Sequence, residues 1–241
     1  MDVPMEMQNQ VMGYDRTATM FSPDGHLLQV EYAEKTVRLG SSSIGIVCCD
    51  GVLIVADRRT RDKLIVEDSA NKIYEIDEHV MGSAAGILSD ARILIERAQL
   101  IAQQNRVTYD SGIEIESLIK EISNLKQAFT QYGGARPFGV SVMIGGLTKD
   151  KPRLYFSDVT GNYFEYKASA IGENDEKIKE MLREEYQEGI TIEEGIKLGF
   201  KIFKKLLGKN FDVSRFDVAY VTLKEKKLKR VDAYELKKYA K

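Results

Sequence analysis

The sequence of 241 residues contains no tryptophan and only two histidines, two cysteines and four prolines. The cysteines, Cys48 and Cys49, are adjacent, so their side chains would point to opposite faces of a strand, poorly placed to share a disulfide or a metal ion. The histidines, His26 and His79, form no cysteine–histidine pattern with the spacing of a zinc site. We therefore expect two free thiols, and neither a metal ion nor another cofactor.

Long apolar runs and an excess of either charge are also missing. No apolar stretch approaches the roughly 20 residues that a membrane-spanning helix needs, and the amino terminus lacks the positive charge and apolar block of a secretory signal. The 35 lysines and arginines against 37 acidic residues leave a formal net charge of −2, without the basic excess that nucleic acid attracts. The sequence thus predicts a cytoplasmic globular protein that binds neither membranes nor nucleic acid.

The first 13 residues show no sustained hydrophobic period and include Pro4 and Gly13, so the sequence predicts a mobile tail over residues 1–13. Residues 14–241 contain no linker-like stretch and no internal repeat of fixed period. We therefore expect residues 14–241 to form a single domain.

A short helical pattern opens this domain. Leu27, Val30 and Val37 recur at helical spacing, and Gly40 is a typical stop. The pattern predicts a helix over residues 26–39. Its apolar stripe must be buried on another element, and the nearest candidate is the end of the sheet that follows.

The remaining sequence alternates between apolar, β-branched runs and longer amphipathic stretches. Asp50-Gly51 joins two runs that are apolar at successive positions, which indicates a hairpin covered on both faces. Thr191 and Glu194 form a capping-box pattern at the start of the last long helix. Two helix pairs on the outer faces of two stacked antiparallel sheets would bury every stripe, so we expect an α+β fold, a four-layer αββα sandwich. The strands are predicted at residues 43–49, 52–57, 72–76, 80–84, 138–144, 153–156, 162–168, 216–223 and 228–231, and the later helices at 87–105, 112–131, 175–186, 192–207 and 234–239.

Three residues around the first hairpin suggest a catalytic hypothesis. Ser41 precedes the first strand, Asp57 ends the hairpin and Lys72 follows, an arrangement typical of amino-terminal-nucleophile hydrolases, in which the freed α-amine is the base. This chemistry needs cleavage before Ser41, because an amide nitrogen has no basic lone pair. The alternative is a polar strand start behind a structured extension of 40 residues. If Ser41 is catalytic, the chain is a self-processed amidohydrolase. A competing hypothesis is a monomeric binding protein.

Two stretches near the amino terminus match a known family. Tyr14-Asp15-Arg16 and the run FSPDGHLLQVEYA at residues 21–33 closely resemble the signature of proteasome α-type subunits, the archaeal form in particular. Other matching stretches lie at residues 86–92, Tyr109, 130–139 and 170–172. The resemblance extends from about residue 14 to the end of the chain. It aligns Ser41 with the threonine nucleophile of the β-type relatives.

The resemblance implies a non-catalytic subunit of the 20S core particle, part of a threonine-type endopeptidase complex. Seven copies would form an outer ring that caps the proteolytic β ring, admits unfolded polypeptide and receives the carboxyl termini of activator ATPases. The helix over residues 26–39 would lie across the sandwich end that β-type subunits leave open. The tail would then be a gate, because seven tails converging on an axial pore would exclude folded chains by their bulk.

The resemblance also assigns roles to individual residues. In the gate, tyrosine packing and Asp–Arg pairing between neighbouring subunits would act as a latch, although an ordinary local ion pair is the alternative. Lys72 would bind the activator carboxylate with room left by Gly86, whereas a lone lysine there would usually be a solvated strand end. The gate residues are Met1, Asp2, Met12, Tyr14, Asp15, Arg16, Pro23 and Tyr32; the activator-binding residues are Lys72, Gly86 and Glu31; the axial entrance is lined by Tyr132, Gly133, Gly134 and Ala135.

Overall fold

The apolar, β-branched runs of the sequence form strands, and the amphipathic stretches between them form helices. The structure is a computed structural model and describes residues 11–59 and 64–239. The strands in this part of the chain are β1 (Ser43–Cys48), β2 (Gly51–Asp57), β3 (Ile73–Asp77), β4 (Val80–Gly86), β5 (Val140–Thr148), β6 (Lys151–Ser157), β7 (Tyr163–Glu165), β8 (Ala168–Ile171), β9 (Phe216–Thr222) and β10 (Leu228–Arg230).

These strands pair into two antiparallel five-stranded sheets, with the orders β10-β9-β2-β1-β8 and β3-β4-β5-β6-β7. Helices cover the outer faces of both sheets and one end of the space between them. They are α1 (Leu28–Leu39), α2 (Leu88–Tyr109), α3 (Ile115–Phe129), α4 (Asp175–Glu185), α5 (Ile192–Leu207) and α6 (Ala233–Tyr239). Within the described residues, none of them is long and apolar enough to cross a membrane.

Three apolar clusters hold the layers together. One joins α2 and α3 to the outer face of the second sheet, and another joins α4, α5 and α6 to the outer face of the first sheet. The third lies between the two sheets and includes Ile54 and Met143. Every residue of β2 is buried because helices cover one of its faces and the second sheet covers the other. The predicted four-layer αββα sandwich is confirmed.

The predicted strand over residues 162–168 is wrong, because this segment passes from one sheet to the other. Its first part is β7, which pairs with β6 in the second sheet, and the chain then enters β8, which pairs with β1 in the first. Tyr166 still donates its N–H to the carbonyl of Leu154, whereas the carbonyl of Lys167 already accepts from Val47. No glycine or proline marks the crossing, so the local pattern contains no signal of a break.

Several helix ends also differ from the prediction. Helix α1 begins at Leu28 rather than at residue 26, because the backbone of Leu27 is not helical. Helix α2 continues to Tyr109, four residues past its predicted end, and α3 begins at Ile115, three residues after its predicted start. Terminal turns fray and carry weak sequence signals, which makes such bounds the least certain part of a sequence-based assignment.

Helix α1 closes one end of the space between the sheets. Its side chains Val30, Ala33 and Val37 are buried in the same cluster as the inner faces of both sheets. Thr36 Oγ1 lies 3.0 Å from the carbonyl oxygen of Gly139, just before β5, and 2.7 Å from that of Ala33 in its own helix. Burial of an apolar stripe of this size contributes several kcal/mol, at about 25 cal/mol per Å². The helix is therefore an integral part of the fold.

We predict that Gly40→Ala destabilises the protein by about 1–3 kcal/mol, the usual range for overpacking. Gly40 follows α1, and a Cβ atom there would lie 2.4 Å from the backbone nitrogen of Gly86, so α1 or β4 would have to move. Urea unfolding measures the change in free energy. Gly133→Ala is the matched control, because a Cβ at Gly133 meets no atom within 4 Å. Equal stability of the two variants would contradict this close contact.

Candidate functional site

Ser41, Asp57 and Lys72, which the sequence singled out, come together where α1 meets β1. Nζ of Lys72 donates to both the carbonyl oxygen and Oγ of Ser41. The carboxylate of Asp57 is buried and accepts two hydrogen bonds from the guanidinium of Arg215, at 2.9 and 2.7 Å. An amino-terminal-nucleophile reaction at Ser41 would need cleavage of the bond to Gly40, because only that cleavage frees the amine base.

Lys72 is a buried residue with only 8% of its surface exposed, so the solvated strand end considered from the sequence is wrong. Burial lowers the pKa of Lys72 to about 7, because the charged form loses its hydration; the Asp57 carboxylate opposes this shift and Arg59 adds to it. Its backbone is fixed as well, since its N–H donates to Asp217 Oδ2 at 3.0 Å and its carbonyl accepts from Ser83 Oγ at 3.1 Å. The amine of Lys72 is thus held next to Ser41, and it gains or loses a proton near neutral pH.

Gly86 and Glu31 lie in different surroundings. Gly86 ends β4 with a φ of +127°, and a Cβ atom there would lie 2.1 Å from the carbonyl oxygen of Gly139. Gly86 therefore allows a close approach between neighbouring backbone segments of this chain, next to the turn that carries Ser41. The Glu31 carboxylate lies 2.5 Å from Nδ1 of His26.

The residues predicted to form a gate lie, where the structure describes them, in and around a short turn near the amino terminus. Met12 is exposed, and Tyr14–Arg16 form a 3₁₀ turn whose carbonyl at Asp15 accepts from the side chain of Gln29 in α1. Oδ1 of Asp15 is buried and has no hydrogen-bond partner among the described residues. Met1 and Asp2 lie outside the described residues.

The structure brings this turn next to the predicted axial entrance. Asp15, Arg16 and Gln29 share a cleft with Gly134 and Ala135. Pro23 and Tyr32 do not line it. Pro23 lies in an exposed turn, and Tyr32 is half-buried, with Nζ of Lys35 at 5.4 Å from its ring centroid.

In the turn at residues 132–135, Ala135 is half-buried and the other residues are exposed, including 62% of Tyr132. Glycine occupies the centre of the turn, with a φ of +85° at Gly134. An ion pair that sequence reasoning missed fixes its base. Arg136 donates to both oxygens of Asp90, at 2.6 and 2.7 Å, and this pairing holds the pKa of the Asp90 carboxyl below its usual range. Asp90 and Arg136 lie in two of the stretches that resemble proteasome α-type subunits, residues 86–92 and 130–139. That resemblance was the sequence signal from which they could have been found.

Comparisons with known proteins identify the family of this chain. The model of a family described as "Proteasome subunit" matches residues 37–221, and a second model, which describes the N-terminal signature of A-type proteasome subunits, matches residues 14–35. A protein of Methanocaldococcus jannaschii named "Proteasome subunit alpha" is 45% identical over 93% of this chain and 86% of its own length. Proteins of the same name from Archaeoglobus fulgidus and Methanosarcina acetivorans are 43% and 41% identical, each over 95% of this chain and 92% of its own length. The chain therefore belongs to the proteasome subunit family, with the A-type amino-terminal signature.

Proposed function

We propose that this chain is a non-catalytic α-type subunit of a cytoplasmic 20S core particle, placed in an outer ring that controls access to a proteolytic β ring. The observation that carries the proposal is α1, which fills the end of the sandwich beside Ser41. A hydrolase of this fold would need the same space for its substrate. The A-type signature and the names of the relatives support the same function.

The test is assembly with a β-type partner, a threonine-type peptidase. We expect the chain to retain its full length by intact-mass measurement and to form seven-membered rings visible by electron microscopy. Peptide hydrolysis should require the β-type chain, because the α-type chain supplies no nucleophile. Loss of residues 1–40 would instead favour the amidohydrolase, and a particle near the 27.2 kDa of one chain would favour the monomeric binding protein.

The gate is proposed to consist of the tail and the cleft next to it. Tails of seven subunits would block an axial opening lined by residues 132–135 by their bulk, and moving them aside costs mainly conformational entropy. Within the described part of the chain, the buried Oδ1 of Asp15 has no hydrogen-bond partner, which is unfavourable for a carboxylate oxygen. This supports a latch between subunits, because a neighbouring subunit could supply the donor. Arg16, in the same cleft, is the cation that could pair with it.

We predict that deletion of Met1–Met12 raises peptide hydrolysis by the assembled particle in the absence of an ATPase. The rate with a short fluorogenic peptide measures the effect, and it should rise several-fold. A tail of the same length with its residues in shuffled order is the control, because it keeps the bulk and should keep the low rate. An unchanged rate in the deletion variant, with rings intact, would show that the tail is not the barrier.

Activator docking is proposed at Lys72, in a pocket completed by a neighbouring subunit. The ammonium would leave the two oxygens of Ser41 and form an ion pair with the carboxyl terminus of the ATPase. The backbone contact of Gly86 with the Ser41 turn supports a role for it in the same pocket. Glu31 is proposed to contact the activator from the neighbouring surface of α1.

We predict that Lys72→Ala abolishes stimulation of peptide hydrolysis by the ATPase and leaves ring assembly intact. Lys120→Ala is the control, because Lys120 is an exposed cation on α3, outside the proposed gate and docking pocket. Normal stimulation in the Lys72 variant would show that the activator docks elsewhere.

The affinity of the activator should also depend on pH. With the pKa of Lys72 near 7, the protonated form of Lys72 is the minor form above that pH, and a carboxylate has to bind this form. The apparent affinity of the activator carboxyl terminus should therefore fall about tenfold per pH unit above pH 7.

A further inference from the structure

A cleft on the outer surface of α5 and α6 is surrounded by lysines and takes no part in the proposed gate or docking pocket. Its volume is about 320 Å³. It belongs to the helical layer on the first sheet, away from the α2–α3 layer. It is lined by Lys197, Lys201, Lys204 and Lys238 together with Phe200, Phe211 and Tyr239.

The lysines form a line of positive charge. Lys197, Lys201 and Lys204 are spaced four and three residues apart on α5, so they share one face of the helix. At 1.5 Å of rise per residue, the row is about 10 Å long. Lys238 adds a fourth cation from α6. An extended peptide advances about 3.3 Å per residue, so three or four residues would match the length of the row.

Within the described part of the chain, little of this charge is firmly neutralised. Lys197 pairs with Glu193 at 2.7 Å, an exposed contact that water screens. Lys201 lies 2.7 Å from Glu185, but Lys205 also binds that carboxylate, so Glu185 keeps a partner if Lys201 turns away. Among the described residues, Lys204 forms no ion pair.

Aromatic rings form the floor between these cations. Phe200 is buried and packs against Phe211 with ring centroids 6.1 Å apart, and it also contacts Phe216 at 5.5 Å. Tyr239 is partly buried at the edge of the same cleft. Phe200 is only 2% exposed, so the partly exposed rings of Phe211 and Tyr239, which pack on the core, supply the apolar surface for one side chain of a ligand.

We propose that this cleft binds an acidic protein segment that carries an aromatic side chain between its carboxylates. The row of lysines matches carboxylates spaced along an extended chain, and the rings match the aromatic side chain. Compact phosphate groups are instead favoured by converging donors such as an arginine fork or a backbone nest. The proposal concerns a surface separate from Lys72 and stands whether or not an activator docks there.

The test uses the full chain and a fluorescein-labelled peptide of four glutamates around a central phenylalanine. Fluorescence anisotropy at 0.05 and 0.15 M salt gives the affinity. We expect the triple change Lys197→Gln, Lys201→Gln and Lys204→Gln to weaken binding at least tenfold. The matched control, Lys120→Gln, Lys151→Gln and Lys177→Gln, removes the same charge from exposed lysines outside the cleft and should change binding less than twofold. Circular dichroism melts confirm that both variants are folded.

A second variant tests the apolar floor. Tyr239→Ala should weaken binding of the phenylalanine peptide about fivefold and leave binding of a peptide with central alanine unchanged. Equal weakening by the two triple variants would reduce the effect to overall charge and overturn the proposal, as would absence of peptide binding to the unmodified chain. Tripolyphosphate that binds as tightly as the peptide through the same lysines would identify a phosphate site instead, which also overturns it.

Discussion

The apolar stripe of α1 is buried in the space between the two sheets, and the arrangement of the candidate site depends on that contact. Val30, Ala33 and Val37 complete the central cluster at its open end. The chain then turns through Gly40 against Gly86, which sets the position of Ser41 at the start of β1. Helix α1 thereby fills the space that a substrate would need. Burial of its apolar stripe distinguishes this subunit from the hydrolase that Ser41, Asp57 and Lys72 suggested.

Two buried amines give the interior an unusual electrostatic character. Lys72 lies between the α1 end and the first sheet, and Lys126 of α3 is fully buried beside Ser157, whose carbonyl oxygen lies 3.1 Å from its Nζ. Burial lowers the pKa of each amine to about 7. Neutral amines are acceptable in a core because their hydrogen bonds replace hydration without leaving an unpaired charge. The ordinary pKa of a lysine in the unfolded chain is 10.5, so the unfolded chain binds these protons first and the free energy of unfolding falls as the pH drops from about 10.5 to about 7. Below pH 7 both amines are charged in both states, and this contribution no longer changes.

Most of the architecture could be predicted from the sequence because each element carries a local signal of its own. Apolar periodicity located the helices, and the capping box of Thr191 and Glu194 marked the start of α5, where both of its hydrogen bonds are present. The crossing at residues 166–167 could not be predicted, because a strand that changes sheets keeps the local pattern of a continuous strand. That change depends on partners distant in sequence, such as Leu154 and Val47.

The candidate site was predictable in composition but not in its bonding. Ser41, Asp57 and Lys72 were identified together. Their sequence positions did not indicate, however, that Arg215 would donate hydrogen bonds to both carboxylate oxygens of Asp57. The ion pair of Asp90 and Arg136 likewise joins residues 46 positions apart. Long-range polar contacts of this kind depend on the assembled tertiary structure, whereas periodicity reports only local geometry.

The carboxylate oxygen Oδ1 of Asp15, which has no hydrogen-bond partner among the described residues, has a thermodynamic consequence for assembly. In an isolated chain, a buried oxygen that has lost its hydration and gained no donor from residues 11–59 or 64–239 lowers the stability of the amino-terminal turn. A donor from an adjacent copy would remove that deficit. Ordering of the amino-terminal turn and association of subunits would then be linked equilibria. Because dilution favours dissociation, it would by itself lower the stability of the segment that precedes α1.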